Sequence, residues 1–299
     1  MSELDPRAEL AELSHALGAL VRRRAALGRR STPRPPRPTV AAPAAPAAPA
    51  APAPRAPTPA AAPSTPAAPA SRRSPARAAE PRRSAAQAAV ERAAGEVAAR
   101  AAACPDLETL RAEVAGCTAC GLCRTRTQTV FADGAGTAGV MFVGEAPGFH
   151  EDQQGVPFVG RAGELLSDIV TKGMGLAREQ VYIANVLKCR PPDNRDPTEH
   201  EKRLCTPFLD RQIELVDPRV IVPLGRHAAC HVLGVRASMA ALRGRVHDLG
   251  GRKVVPTFHP AYLLRSPGQK KECWADIRLA MDLLGLEPPP RDAVRPPGR

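Results

Sequence analysis

The sequence predicts an α/β protein, a three-layer α/β/α sandwich around a central, mostly parallel four-stranded sheet. Three observations carry this expectation. Short, continuous apolar runs rich in β-branched residues recur after residue 139, helical stretches separate them, and polar residues collect where the runs end. Continuous apolar strands belong to a sheet covered on both faces, and strands alternating with helices are joined in parallel. Ligands of such sheets bind beyond the carboxyl ends of the strands.

The chain before this region is built differently. Within residues 1–30, Leu10, Leu13, Leu17 and Leu20 recur at helical spacing and Arg22, Arg23 and Arg24 fall in the last turns, where the helix dipole favours cations. Such a short amphipathic helix is marginal alone and is either a docking element for a repair or replication partner or a frayed, solvated end. Sixteen of the 34 prolines lie between Pro33 and Pro81, mostly in Ala-Ala-Pro steps. With no large side chains to bury, residues 31–83 are expected to be a disordered, polyproline-II-biased linker. An Ala/Arg/Glu-rich helix over 84–103 leads into a folded domain at 104–288, and 289–299 form a disordered tail.

Inside the domain the predicted strands are Val140–Val143, Val181–Ile183, Val220–Val222 and Val254–Val255. The predicted helices cover 161–173, 198–216, 226–233 and 271–285. Strand ends then place Gly144-Glu145-Ala146-Pro147-Gly148, Asn185, Leu224-Gly225 and His259-Pro260 on one rim.

Charge is divided unevenly. Residues 1–103 hold 16 Arg, no Lys and 7 acidic residues, whereas the other 196 residues are close to balanced. An arginine-rich arm favours a polyanion, nucleic acid above all, through counterion release; the alternative is a tail that only solvates itself. The start, Met1-Ser-Glu-Leu-Asp, carries no export signal, and no run approaches the ~20 apolar residues of a membrane span. A cytoplasmic setting of bacterial type, a monomer and no membrane contact are expected. Eight cysteines in a reducing compartment point to metal more than to disulfides.

Cys117 and Cys120 have the two-residue gap that lets both sulfurs face one centre, and Cys189 and Cys205 form a wider pair. Tetrahedral zinc accepts four thiolates. The irregular spacing suits an iron–sulfur cluster better, and a [4Fe–4S] cluster is the expected cofactor. Cys123 extends the first pair to a triplet and leaves one thiol over.

The motifs GEAPG at 144–148, EDQQGVPFVGRAG at 151–163, VYIANVLKCRPPDNR at 181–195 and HPAYLLR at 259–265, with the cysteine spacing, resemble a family 4 uracil-DNA glycosylase. This is the iron–sulfur branch of the uracil-DNA glycosylase superfamily, and the likeness runs through about residues 113–284. It implies hydrolysis of the N-glycosidic bond of deoxyuridine in single- or double-stranded DNA, after the nucleotide is flipped from the stack. Uracil leaves an abasic site, as in base-excision repair.

The resemblance also implies roles. Phe158 would stack on the flipped base, and Asn185 would donate to uracil O4 and accept from N3–H. His259 would hydrogen-bond O2 as charge builds on the leaving base. Gly144, Glu145 and Ala146 would line the pocket. Related glycosylases with a Gly-Gln-Asp-Pro-Tyr motif carry an Asp where Ala146 stands, so Glu145 is expected to orient the water. Glu151 would shape the pocket against thymine's methyl or assist catalysis, with Asn194 positioning the carboxylates or the water. Leu263 and Leu264 would wedge into the duplex, and Arg265 would hold phosphate. Cys117, Cys120, Cys189 and Cys205 are the implied cluster ligands. The alternatives are a family 5-like enzyme of broader specificity, whose first motif lacks the acid at 145, and a non-catalytic iron–sulfur nucleic-acid-binding protein.

Overall fold

The computed structural model describes residues 85–290. The expectations for 1–83 and for 291–299 lie outside them. The helices are α1 (Ala85–Ala103), α2 (Leu107–Ala115), α3 (Phe149–Gln154), α4 (Arg161–Asp168), α5 (Glu199–Val216), α6 (Arg226–Leu233), α7 (Met239–Leu242), α8 (Pro260–Arg265) and α9 (Lys270–Leu284). The strands are β1 (Val140–Gly144), β2 (Tyr182–Asn185), β3 (Val220–Pro223), β4 (His247–Leu249) and β5 (Arg252–Val254).

They form one sheet in the order β2-β1-β3-β5-β4, with β1 parallel to both β2 and β3 and β5 parallel to β3. The period-2 alternation of β1 divides two cores. Met141 and Val143 face a core with Val97 and Ala101 of α1, Leu110 and Val114 of α2, and Phe208, Leu209 and Ile213 of α5. Val140 and Phe142 face the other, with Leu166 of α4, Leu263 of α8 and Ile277, Ala280 and Met281 of α9. Helices therefore cover both faces, as the sequence predicts. Since Val97 and Ala101 are buried, α1 is part of this packed unit and not a separable lead-in.

One strand escaped the sequence reading. β4 pairs antiparallel with β5 at the sheet edge, through a turn at Gly250 and Gly251, both at positive φ. A two-residue turn with two positive φ values matches the right-handed strand twist, and glycine adopts it without steric cost. The composition of β4, His247-Asp248-Leu249, gives little strand signal, because it lies half exposed. No helix among the described residues is long and apolar enough to cross a membrane.

The helices start where the local chemistry directs. Thr198 caps α5, accepting from Glu201 N at 3.2 Å while its own N–H donates to Glu201 Oε2 at 2.9 Å. Two orphan N–H groups are satisfied reciprocally. This fixes the start of the helix that carries Cys205.

Candidate active site and cysteine centre

A cleft of about 470 Å³ opens at the carboxyl ends of β1 and β2. Glu145, Ala146, Glu151, Phe158, Asn185, Asn194, His259 and Arg265 all line it. Residues spread over more than a hundred positions thus converge, because parallel strands deliver their ends to one side.

Asn185 closes β2 and is only 2 % exposed. Its Oδ1 is buried with no hydrogen-bond partner among the described residues. Buried acceptors are normally paired, so an orphan of this kind marks a place for a donor that arrives with a ligand. Gly144, paired with Asn185 across the strands, makes room for it. A Cβ at 144 would stand 2.2 Å from Asn185 Oδ1 and 2.5 Å from the Phe158 ring. Gly144→Ala is therefore expected to cost about 1–3 kcal/mol in strain and to displace both side chains. A modest fall in Tm with a much larger fall in base excision is the expected outcome.

Phe158 has φ 56°, a left-handed conformation unusual for an aromatic residue. The turn is held by Glu151, whose Oε1 accepts from Val159 N at 3.0 Å and Gly160 N at 2.9 Å, while Oε2 accepts from Gly148 N at 3.1 Å. Both carboxylate oxygens of Glu151 are thus engaged with backbone. The Phe158 ring stacks near His259, with centroids 5.6 Å apart and planes at 30°.

His259 caps α8, its Nδ1 accepting from Ala261 N at 3.1 Å. That bond leaves the proton on Nε2, so the free nitrogen is a donor. Burial, with the nearby Arg265 charge, lowers its pKa to about 4, and the ring stays neutral. Glu145 moves the other way: burial first, then Asp196, raise its pKa to about 7, against the pull of Lys202 and Arg226.

One site expectation needs adjustment. Leu263 is 1 % exposed and packs in the core, so it cannot be a wedge; Leu264 and Tyr262 are the exposed apolar residues of α8. One residue along a helix turns the side chain by about 100°, which sends 263 inward and 264 outward. Asn194 is exposed at the cleft, and its oxygen accepts from Arg190 Nε at 2.8 Å, which ties it to its own loop. Arg265 is exposed at the rim of the cleft.

Beside the cleft, Cys117, Cys120, Cys123, Cys189 and Cys205 line a second, enclosed cavity. All described cysteines are free thiols. Burial raises the Cys120 pKa to about 11 and that of Cys205 to about 12. A metal would have to displace these protons. Donors already face the sulfurs: Arg126 Nη1 lies 3.2 Å from Cys189 Sγ, and Lys188 N donates to Cys205 Sγ at 3.3 Å. No three of these sulfurs stand within 4.8 Å of one another among the described residues. Thiolates on a single tetrahedral zinc stand about 3.8 Å apart, given Zn–S bonds of about 2.3 Å.

The sequence reading missed Lys188. It is 1 % exposed, and its Nζ donates to Asn185 O at 2.7 Å and to Gln212 Oε1. Burial lowers its pKa to about 8. The residue thus ties the cysteine cavity, through its backbone, to the carboxyl end of β2, through its side chain. His227 and Asp196 beside Glu145 were missed too: a histidine in the first turn of a helix and an aspartate in a loop carry no motif of their own.

The Uracil DNA glycosylase superfamily matches residues 131–278 of the chain. The type-4 uracil-DNA glycosylase of Thermotoga maritima is 49% identical over 162 residues, which are 54% of this chain and 84% of that protein. That of Sulfurisphaera tokodaii is 42% identical over 185 residues, 59% and 84% of the two chains. That of Archaeoglobus fulgidus is 41% identical over 191 residues, 61% and 96%. Likeness of this extent, covering most of each relative, places the chain in the type-4 family of uracil-DNA glycosylases.

Proposed function

We propose that this DNA glycosylase takes a flipped deoxyuridine into the cleft and hydrolyses its N-glycosidic bond, with the residues above dividing the work. The unpartnered Asn185 Oδ1 carries the reading. It accepts from uracil N3–H, and the same amide donates to O4. Cytosine presents an acceptor at N3 and a donor at C4, so the pairing fails twice and the buried groups stay unmet. Phe158 stacks on the ring, worth about 1–3 kcal/mol.

As the C1′–N1 bond breaks, negative charge gathers on uracil O2. The neutral His259 donates Nε2–H to it without bringing a competing cation. Glu145 orients the water whose oxygen bonds to C1′ and accepts its proton. Glu151 acts through the backbone, holding the Phe158 turn, and is a positioning residue. Leu264, with Tyr262 beside it, fills the gap left in the duplex, and Arg265 holds phosphate.

The cysteine centre, five irregularly spaced thiols lining one cavity, suits a [4Fe–4S] cluster better than zinc. Cys117, Cys120, Cys189 and Cys205 would hold it. Bound there, the cluster supplies cross-linking of the loops around the cleft and takes no part in the hydrolysis.

Uracil release from an oligonucleotide under single-turnover conditions tests the reading through its pH dependence. Glu145 works as the carboxylate, so activity is present above its pKa and lost as pH falls through about 7. His259, neutral down to about pH 4, adds no limb above that. A single acidic limb near neutrality is expected, and its disappearance in Glu145→Gln along with most activity. A Glu145→Gln enzyme of ordinary rate would reject the assignment.

A further inference from the structure

A groove of about 910 Å³ runs between α5 and α6, outside the cleft. Its lining carries four cations, Lys202 and Arg203 of α5, Arg226 of α6 and Arg236 just beyond it, against one carboxylate, Glu199. Lys202 hydrogen-bonds Glu199 and, with Arg236 and His227 adding, holds that carboxyl below its ordinary value. The one negative charge of the groove is therefore already answered. Arg203 is exposed and reaches Glu91 of α1 at 3.4 Å. Arg226 and Arg236 are exposed, with no hydrogen-bond or ion-pair partner among the described residues. Unpaired cations gathered along a concave surface attract a polyanion.

The groove also has a direction. α6 follows β3 at the carboxyl rim, and the lining runs from Arg226 at its start to Arg236 beyond its end. At a rise of 1.5 Å per residue, the helix alone makes this wall about 12 Å long. His227 belongs to the lining, and its Nε2 stands 3.7 Å from Glu145 Oε1 in the cleft. One end of the groove therefore meets the cleft, and the other leads away from it.

We propose, on the reading that the cleft takes the flipped nucleotide, that this groove carries a single-stranded flank of the substrate. The phosphates of the uracil-bearing strand leave the cleft past His227 and lie along Arg226, Arg203 and Arg236. A duplex is stiff over about 150 base pairs and cannot turn from the rim down the side of α6, whereas a single strand can. No Phe, Tyr or Trp lines the groove, so it offers none of the usual stacking platforms and reads phosphate without regard to sequence. The arginine-rich residues 1–103 carry the same sign of charge and are not its occupant.

The experiment uses single-stranded oligonucleotides whose flanks are lengthened from about two to about ten nucleotides, one side at a time. Lengthening one flank, and not the other, is expected to tighten binding to the unaltered enzyme. Arg203→Ala with Arg236→Ala is expected to abolish that gain. It should also lower the salt slope of log K by about 1.4, two phosphate contacts at about 0.7 each on a single strand. Arg236→Ala alone, which loses no partner in the protein, is expected to give half that change. Uracil release at saturating DNA stays as it was, and with the same flank paired to a complementary strand all three enzymes bind alike.

An unchanged salt slope, an equal response from both flanks, or an equal weakening on the paired flank would overturn the proposal and leave the cleft reading standing. Failure of the unaltered enzyme to release uracil from any of these substrates would overturn the cleft reading, and the groove's role with it.

Discussion

Asn185→Ala is expected to lower uracil excision by about 10³-fold, the scale at which removal of a preorganised hydrogen-bonding group acts on a transition state. The fold should tolerate the change. Asn185 Oδ1 is already without a partner, so truncation removes a buried polar atom that contributes nothing to the resting protein. Tm should hold or rise slightly while kcat collapses. Stability and activity move apart because the interaction exists only once a base is bound. Measuring thermal unfolding and single-turnover release on one preparation checks both halves. A proportionate loss of Tm and rate would mean that Asn185 is a packing residue of β2.

Cys189→Ser is expected to have the other large effect, acting through structure. Cys189 is buried and lies four residues beyond Asn185 in sequence, with Lys188 between them bonded to Asn185 O and to Cys205 Sγ. Losing a ligand should release iron, remove the visible iron–sulfur absorption and lower Tm markedly. Excision should fall with it, because the anchored end of β2 carries Asn185, the proposed base reader. Cys123→Ala should keep both iron and activity, since four other thiols line the cavity. Iron content, visible absorption and Tm, read together on the two variants, check this. Full iron retention in Cys189→Ser would remove that residue from the ligand set.

The legible parts of this chain were those whose chemistry is local. β1, β2 and β3 are continuous apolar runs, buried on both faces, and could be read directly. β4 could not, since its three residues are half exposed and its only signal is the Gly250-Gly251 turn. Glu145, Phe158, Asn185 and His259 line the cleft and sit within motifs, which is what brings them forward in a sequence. Lys188 was hidden, because nothing in a sequence marks a lysine as buried until its partners Asn185 and Gln212 are seen around it. His227 was hidden for the same reason, its meaning lying wholly in what stands opposite. Leu263 and Leu264 show the limit of a motif: it names both, and only the phase of α8 decides which meets solvent.

The Lys188 tether has a bearing on the cell. A glycosylase that lost its metal but kept a working pocket would go on creating abasic sites under iron starvation or oxidant attack, when the later steps of repair are themselves impaired. Here the ammonium that holds Asn185 O is carried by the residue next to Cys189, a ligand of the proposed cluster. Damage at the centre therefore reaches the pocket within one peptide unit. Loss of the proposed cluster would then silence the enzyme rather than leave it cutting unchecked.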